Sequence, residues 1–279
     1  MKVAKVLVID GNTAQTRAHH ISSGGQATGE GYVRTLLSLE PALQCDIVSP
    51  ADGPLSSGLR LSDYAGATMT GSALNVYNGG PAIERQIDLV REVFAAGLPF
   101  FGSCWGLQIA VAAAGGVVSA NPLGREFGFA RRITLNDAGR QHPMFAGKPA
   151  VFEAPTIHRD YIERLPPGAI ALAHNEMGLQ AAEIHFDKGV CWGVQYHPEY
   201  TFGELAATAR RYENTLLSEG LMASGEDVQR FIADLELLER GTNTQAVGWR
   251  YGLGQGILDP THKLAELKNW LQRQVLLRR

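Results

Sequence analysis

Cysteine is scarce in this chain, and its scarcity narrows the chemistry. Only Cys45, Cys104 and Cys191 occur among 279 residues. Three thiols without a Cys-x-x-Cys pair give neither a disulfide framework nor a thiolate metal site, so free thiols in a reducing, cytoplasmic setting are expected. Long apolar runs are missing too. No stretch approaches the roughly 18 apolar residues of a membrane span, and the opening Met-Lys-Val-Ala-Lys-Val-Leu-Val-Ile-Asp suits a first strand better than a signal peptide. Neither sign of charge dominates: 25 basic and 28 acidic residues give a net charge of −3, which predicts no nucleic-acid-binding face. There is no P-loop. His19 and His20 lie in a polar stretch without further ligands and read as solvated, so neither a metal nor a cofactor is expected. What is plentiful is hydrophobic content, 45%, enough for one large domain and an appendage.

Apolar strand-like runs alternate with amphipathic helical stretches, the pattern of an α/β fold with an open, mostly parallel sheet and helices on both faces. Strands are predicted at 3–9, 45–48, 65–69 and 98–101, with helices at 30–39, 83–96, 105–114 and 203–217. Residues 10–29 read as a long polar loop, and 117–184 as short strands and turns. Residues 1–220 form one unit and 221–279 a helical C-terminal extension. In the extension, Ser224 and Asp227 open a helix whose apolar stripe is Val228, Phe231, Ile232, Leu235 and Leu238. Asp259 and Pro260 open another, with Leu264, Leu267, Trp270, Leu271 and Val275 on one side. The stretch between them carries a Gly-x-Gly-x-Gly that opens no helix and reads as a packed aromatic loop. The two stripes have three destinations: the core, a second copy of the chain, or a separate partner.

The most informative feature is Phe-Phe-Gly-Ser-Cys-Trp-Gly-Leu-Gln at 100–108. An apolar strand breaks at a glycine turn and hands Cys104 to a helix, whose free N–H groups and positive dipole end favour thiolate. Gly102 and Gly106 supply the backbone freedom and close approach of a strained turn. Ninety-three positions beyond Cys104 stands His197, in Gly-Val-Gln-Tyr-His-Pro-Glu at 193–199. The preceding residues alternate as a strand, Pro198 ends it, and His197 and Glu199 project to one side. At that spacing the carboxylate orients one ring nitrogen and leaves the other to exchange a proton with a thiol. Cys191 and Cys45 read as buried, inert core thiols.

These motifs resemble the class I, triad-type glutamine amidotransferases, over roughly residues 4–216. The resemblance implies a flavodoxin-like sheet with a smaller antiparallel layer over the site. It also implies hydrolysis of glutamine's side-chain amide through a thioester on Cys104, with His197 as base and acid and Glu199 orienting it. Thr-Gly-Ser at 70–72 matches the place of the family's oxyanion glycine. The N–H groups of Gly71 and Trp105 are thus candidate oxyanion donors, and Ser72 and Gln108 candidate substrate contacts. Residues 124–128 resemble the loop after the nucleophile helix. Ile-His-Arg-Asp at 157–160 resembles the family's Ser-His-Gly-Asp segment, placing His158 and Asp160 near the substrate, with Ile157 and Arg159 as departures. The implied ligand is glutamine or a related γ-glutamyl amide. Three readings remain open: a glutaminase similar to that of GMP synthetase, serving a separate synthetase subunit; an independent hydrolase of another γ-glutamyl amide; or a non-catalytic binding protein.

Overall fold

The computed structural model describes residues 3–278. In chain order the first half contains β1 (Lys5–Ile9), α1 (Ala14–Ser22), α2 (Thr28–Leu39), β2 (Gln44–Val48), β3 (Gly66–Met69), α3 (Pro81–Ala95), β4 (Phe100–Ser103), α4 (Trp105–Ala113) and β5 (Val117–Ala120). Then follow β6 (Glu126–Leu135), α5 (Asp137–Gln141), β7 (Val151–His158), β8 (Asp160–Arg164), β9 (Ile170–Asn175), β10 (Gly178–Phe186), β11 (Gly189–Val194) and α6 (Phe202–Ser218). The C-terminal part is helical: α7 (Gly225–Glu239), α8 (Thr244–Tyr251), α9 (Gln255–Leu258), α10 (Pro260–Lys263) and α11 (Ala265–Trp270).

Nine strands form one open sheet in the order β2-β1-β3-β4-β11-β10-β9-β6-β7. The half from β2 to β11 is parallel throughout. Its strands are continuous apolar runs such as Val6, Leu7, Val8 and Ile9, all fully buried, as a sheet covered on both faces requires. One face packs on α3 and α4 through Val90, Phe94, Leu107 and Ile109. The other packs on α2 and the chain's C-terminal end, through Tyr32, Leu36, Trp270 and Val275.

Three expectations change and one open alternative closes. The segment 117–184 does not fold as a separate layer over the site: β6, β7, β9 and β10 extend the main sheet antiparallel, and only β5 and β8 pair apart from it. The cause is the tight hairpin from β10 to β11, in which Phe186 pairs with Gly189 and Asp187 adopts φ 51°. That hairpin carries the sheet directly onward from its parallel half. Second, residues 10–29 are not one loop. Thr13 caps α1 by accepting from the N–H of Thr16, and His20 is buried against Glu204 of α6 at 2.7 Å, while His19 is exposed. A helix this polar has no apolar stripe to announce it; its anchor is a hydrogen bond with a residue 184 positions away.

Third, the Gly-x-Gly region begins within α8 rather than forming a packed aromatic loop. Asn243 and Gly252, both left-handed, bracket that helix, and Trp249 is 75% exposed while Tyr251 packs on Phe231 at 5.4 Å between ring centroids. Finally, the destination of the two apolar stripes is the chain itself. Val228, Phe231, Ile232, Leu235 and Leu238 bury against Leu205, Ala209 and Phe129. Leu267, Trp270, Leu271 and Val275 bury beneath the parallel sheet, with Trp270 5.9 Å from Phe101. Neither stripe is left for a second subunit. The extension is pinned further by a buried polar cluster, in which Glu266 meets both Lys148 and the Tyr196 hydroxyl.

Candidate active site

β4 ends at Ser103 and α4 begins at Trp105, so Cys104 alone makes the turn between them, at φ 50° and ψ −100°. A non-glycine residue held there is strained, and the surroundings over-determine it. Its N–H donates to the Val194 carbonyl at 2.7 Å, tying the turn to the end of β11, and its carbonyl accepts from the N–H of Gln108. A Cβ on Gly102 would lie 2.4 Å from the backbone of Gly106, and one on Gly106 would lie 2.7 Å from the Met69 carbonyl. Both glycines thus serve close approach of backbones; the unusual dihedral falls on the cysteine itself.

The sulfur is buried and hydrogen-bonded on two sides: Sγ lies 3.6 Å from the Ile157 carbonyl, and Nε2 of Gln195 donates to it at 3.5 Å. Gln195 in turn accepts from Gln108 at 3.3 Å. It escaped notice in the sequence, although it lies two residues before His197 in a stretch that was already singled out.

β11 stops at Val194, three residues short of the histidine, and the chain then bends to present it. The His197 N–H donates to Pro155 O at 2.8 Å, its ring stacks on Tyr200 with centroids 4.0 Å apart, and Nδ1 meets Oε1 of Glu199 at 2.8 Å. Burial alone would drive the ring neutral. The Glu199 carboxylate, together with a hydrogen bond to the Cys104 sulfur, outweighs it and raises the His197 pKa to about 10, which favours an imidazolium beside the carboxylate. By contrast, burial pushes the Cys191 thiol far above its ordinary value, so it stays protonated and inert.

Gly71 lies against the other side of the histidine. A Cβ there would come within 2.5 Å of Cε1 of His197, so only glycine lets that backbone reach the ring. Its carbonyl is held by Nδ2 of Asn12 at 3.1 Å and by the Thr70 hydroxyl at 2.9 Å. Asn12 is itself placed by Asp10, which accepts its N–H and also receives the Thr28 hydroxyl and the Gly29 N–H. The signal for this support was an Asp-Gly-Asn directly after the first strand, where open α/β sheets carry their sites. Among the described residues the N–H groups of Gly71 and Trp105 have no hydrogen-bond partner.

Cys104, His197, Gly71, Ser72, Gln108, His158 and Asp160 all line one narrow cavity of 50 Å³. Glu199 sits behind it. Within it Ser72 donates to the Gly11 carbonyl at 2.9 Å. Both nitrogens of His158 are engaged, Nδ1 with the Asp160 carbonyl at 2.9 Å and Nε2 with Glu126 at 2.8 Å. Asp160 accepts from Asn75 at 2.8 Å and from Tyr77 at 3.0 Å. Arg125, Arg159 and Arg211 also line the cavity. Arg125 is committed to Glu219 and Arg159 to the Asn121 carbonyl, whereas Nε of Arg211 is buried without a hydrogen-bond partner among the described residues.

The family model for glutamine amidotransferase class-I matches residues 42–211. Among curated proteins, a gamma-glutamyl-L-1-hydroxyisopropylamide hydrolase of a Pseudomonas species is 32% identical over 280 residues, covering 99% of this chain and 95% of its own length. A glutamine-hydrolyzing GMP synthase of Thermosipho africanus is 36% identical over 129 residues, which cover 45% of this chain but only 24% of that enzyme. Among solved structures, a glutamine amidotransferase of Thermotoga maritima superposes with a TM-score of 0.68 over 99% of both chains at 17% identity, a likeness of fold.

Proposed function

The chain belongs to the glutamine amidotransferase class-I family, and from that premise we propose that it hydrolyses the γ-carboxamide of a γ-glutamyl compound, glutamine or an N-substituted relative, through a thioester on Cys104. The observation that carries this reading is the hydrogen-bonded His197–Glu199 pair held against a cysteine on a strained strand-to-helix turn. Cys104 as thiolate attacks the amide carbon. The developing oxyanion is received by the N–H groups of Gly71 and Trp105, which cost no reorganisation at the moment of attack. His197 gives its proton to the departing nitrogen, then takes one from the water that cleaves the thioester. Glu199 keeps the ring oriented and stabilises its charged form.

The acyl half of the substrate belongs in the narrow cavity beside Cys104. Its α-carboxylate suits Arg211, whose buried Nε has no hydrogen-bond partner among the described residues, because guanidinium matches carboxylate geometry. His158 and Asp160 act as positioning groups for the cavity wall, and Gln108 acts through Gln195 on the sulfur. Residues 221–279 are an extension of the 1–220 unit that completes the surroundings of the site.

Two destinations for the nitrogen follow from the relatives. The reading as a glutaminase feeding a separate synthetase rests on the GMP synthase likeness, of which this chain spans about a quarter. The reading as an independent hydrolase of a substituted amide is favoured by the Pseudomonas relative, which matches nearly end to end and carries an N-substituted γ-glutamyl amide in its name. The test is glutamate release and intact-mass detection of the acyl-enzyme, with glutamine and a panel of γ-glutamyl amides. Release from at least one of them, absent in Cys104→Ala, is expected; acylation at another residue, or none with any amide, refutes the proposal.

A further inference from the structure

A second, open cavity of 420 Å³ lies beside the narrow one, bordered by α2, the loop after β11 and the C-terminal helices. The two share Thr28, Gly71 and Tyr200 as a common wall. That wall has a particular relation to His197: Gly71 closes on one part of the ring, and Tyr200 stacks on its face. The group that must protonate the departing nitrogen is therefore bracketed by the residues separating the cavities. Glu199, which orients His197, belongs to the lining of the larger one. Tyr200 is kept in place from the far side by Lys263, whose ammonium donates to its carbonyl at 2.6 Å.

Size and lining bear on what this space can hold. Ammonia is about as large as a water molecule, whereas 420 Å³ is many times the roughly 10–15 Å³ that one water needs, room enough for an alkyl group. The lining joins the apolar Tyr32, Phe202, Ile257 and Leu258, which suit an alkyl group, to the carboxylates of Glu199, Glu204 and Glu239 and the cations of Arg34 and Lys263, which suit the polar end of an amine. Much of this wall comes from the C-terminal extension, whose apolar stripes are otherwise consumed in packing.

We propose that this cavity is the amine subsite: it holds the N-alkyl group of a γ-glutamyl amide and releases the corresponding small aliphatic amine after His197 has protonated it. This rests on the γ-glutamyl amide reading above. It places acid recognition at the arginine-lined cavity and amine recognition at the junction of α2 with the C-terminal helices.

Gly31 offers a clean way to fill the space. It lies on α2 in the cavity wall, and a Cβ there meets nothing closer than Gln26 Oε1 at 3.7 Å. The experiment compares kcat/KM for glutamine and for N-isopropyl γ-glutamyl amide in wild type, Gly31→Leu and Leu258→Ala. Gly31→Leu is expected to lower kcat/KM for the alkyl amide by about tenfold or more, the usual discrimination of a pocket against added carbons, with glutamine hydrolysis unchanged. Leu258→Ala, which enlarges the same space, is expected to shift preference toward bulkier N-alkyl groups. Equal effects of Gly31→Leu on both amides, or none on either, would overturn the subsite while leaving Cys104 chemistry standing. Absence of acyl-enzyme with every amide, in wild type as well, would remove the parent reading and the subsite with it.

Discussion

Replacing Glu199 by glutamine changes one charge next to a fully buried histidine, and the surroundings of the ring set the direction of the effect. His197 has its pKa raised from 6.5 to about 10, so the imidazolium is the favoured form at neutral pH. Burial opposes that preference; Glu199 supplies the largest opposing contribution and the Cys104 sulfur the rest. With glutamine at 199, burial dominates and the ring is expected to be neutral at neutral pH. The sign of the stability effect follows. A raised pKa stabilises the fold fully below 6.5, and that contribution is lost as pH climbs toward 10. Wild type should therefore lose stability across this window, and Glu199→Gln should lack that slope, the two converging at the alkaline end. Urea unfolding through the window measures this, with imidazole NMR reporting the ring's charge directly. Turnover should fall by about 10²–10⁴, the scale on which a misoriented base costs a triad. A wild-type ring already neutral at neutral pH, or one whose titration is unmoved in Glu199→Gln, would refute the reasoning.

Cys104→Ala is expected to abolish amide hydrolysis and Cys191→Ala to leave it nearly intact, since burial keeps the Cys191 thiol protonated; comparable losses in both would reassign the nucleophile. Arg211→Gln should raise KM by about tenfold with little change in kcat, the pattern of a lost binding contact made equally in ground and transition states; steady-state kinetics decide it. Glu266→Gln strands the buried Lys148 ammonium, which is 1% exposed at its side chain, and should cost about 3–5 kcal/mol of stability, read by denaturant unfolding. Gly102→Ala drives a methyl to 2.4 Å from the Gly106 backbone and should destabilise by about 1–3 kcal/mol or more, as a lowered thermal midpoint. Wild-type stability in either of the last two would mean that the extension or the turn is held by something else.

The placement of Cys104 and the pairing of His197 with Glu199 were legible in the sequence because both are local. An apolar strand handed directly to a helix defines where Cys104 must sit, and a histidine two residues from a glutamate, with proline between, is spaced so that ring and carboxylate can meet. The α/β class and the stripes of the extension were equally visible, since burial on one side of a helix or on both sides of a strand writes its own period. Other features depend on residues far apart in the chain. His20 looked solvated because its partner, Glu204, lies 184 positions away, and α1 was hidden for the same reason. Gln195 reads as an ordinary strand residue until the fold brings it to the Cys104 sulfur. The antiparallel half of the sheet was set by one hairpin, and the stripes of the extension had no assigned face until the core claimed them. The second cavity belongs to no segment at all. It exists only where α2, the loop after β11 and the last helices meet, because a void is a property of packed surfaces and no single stretch of residues encodes one.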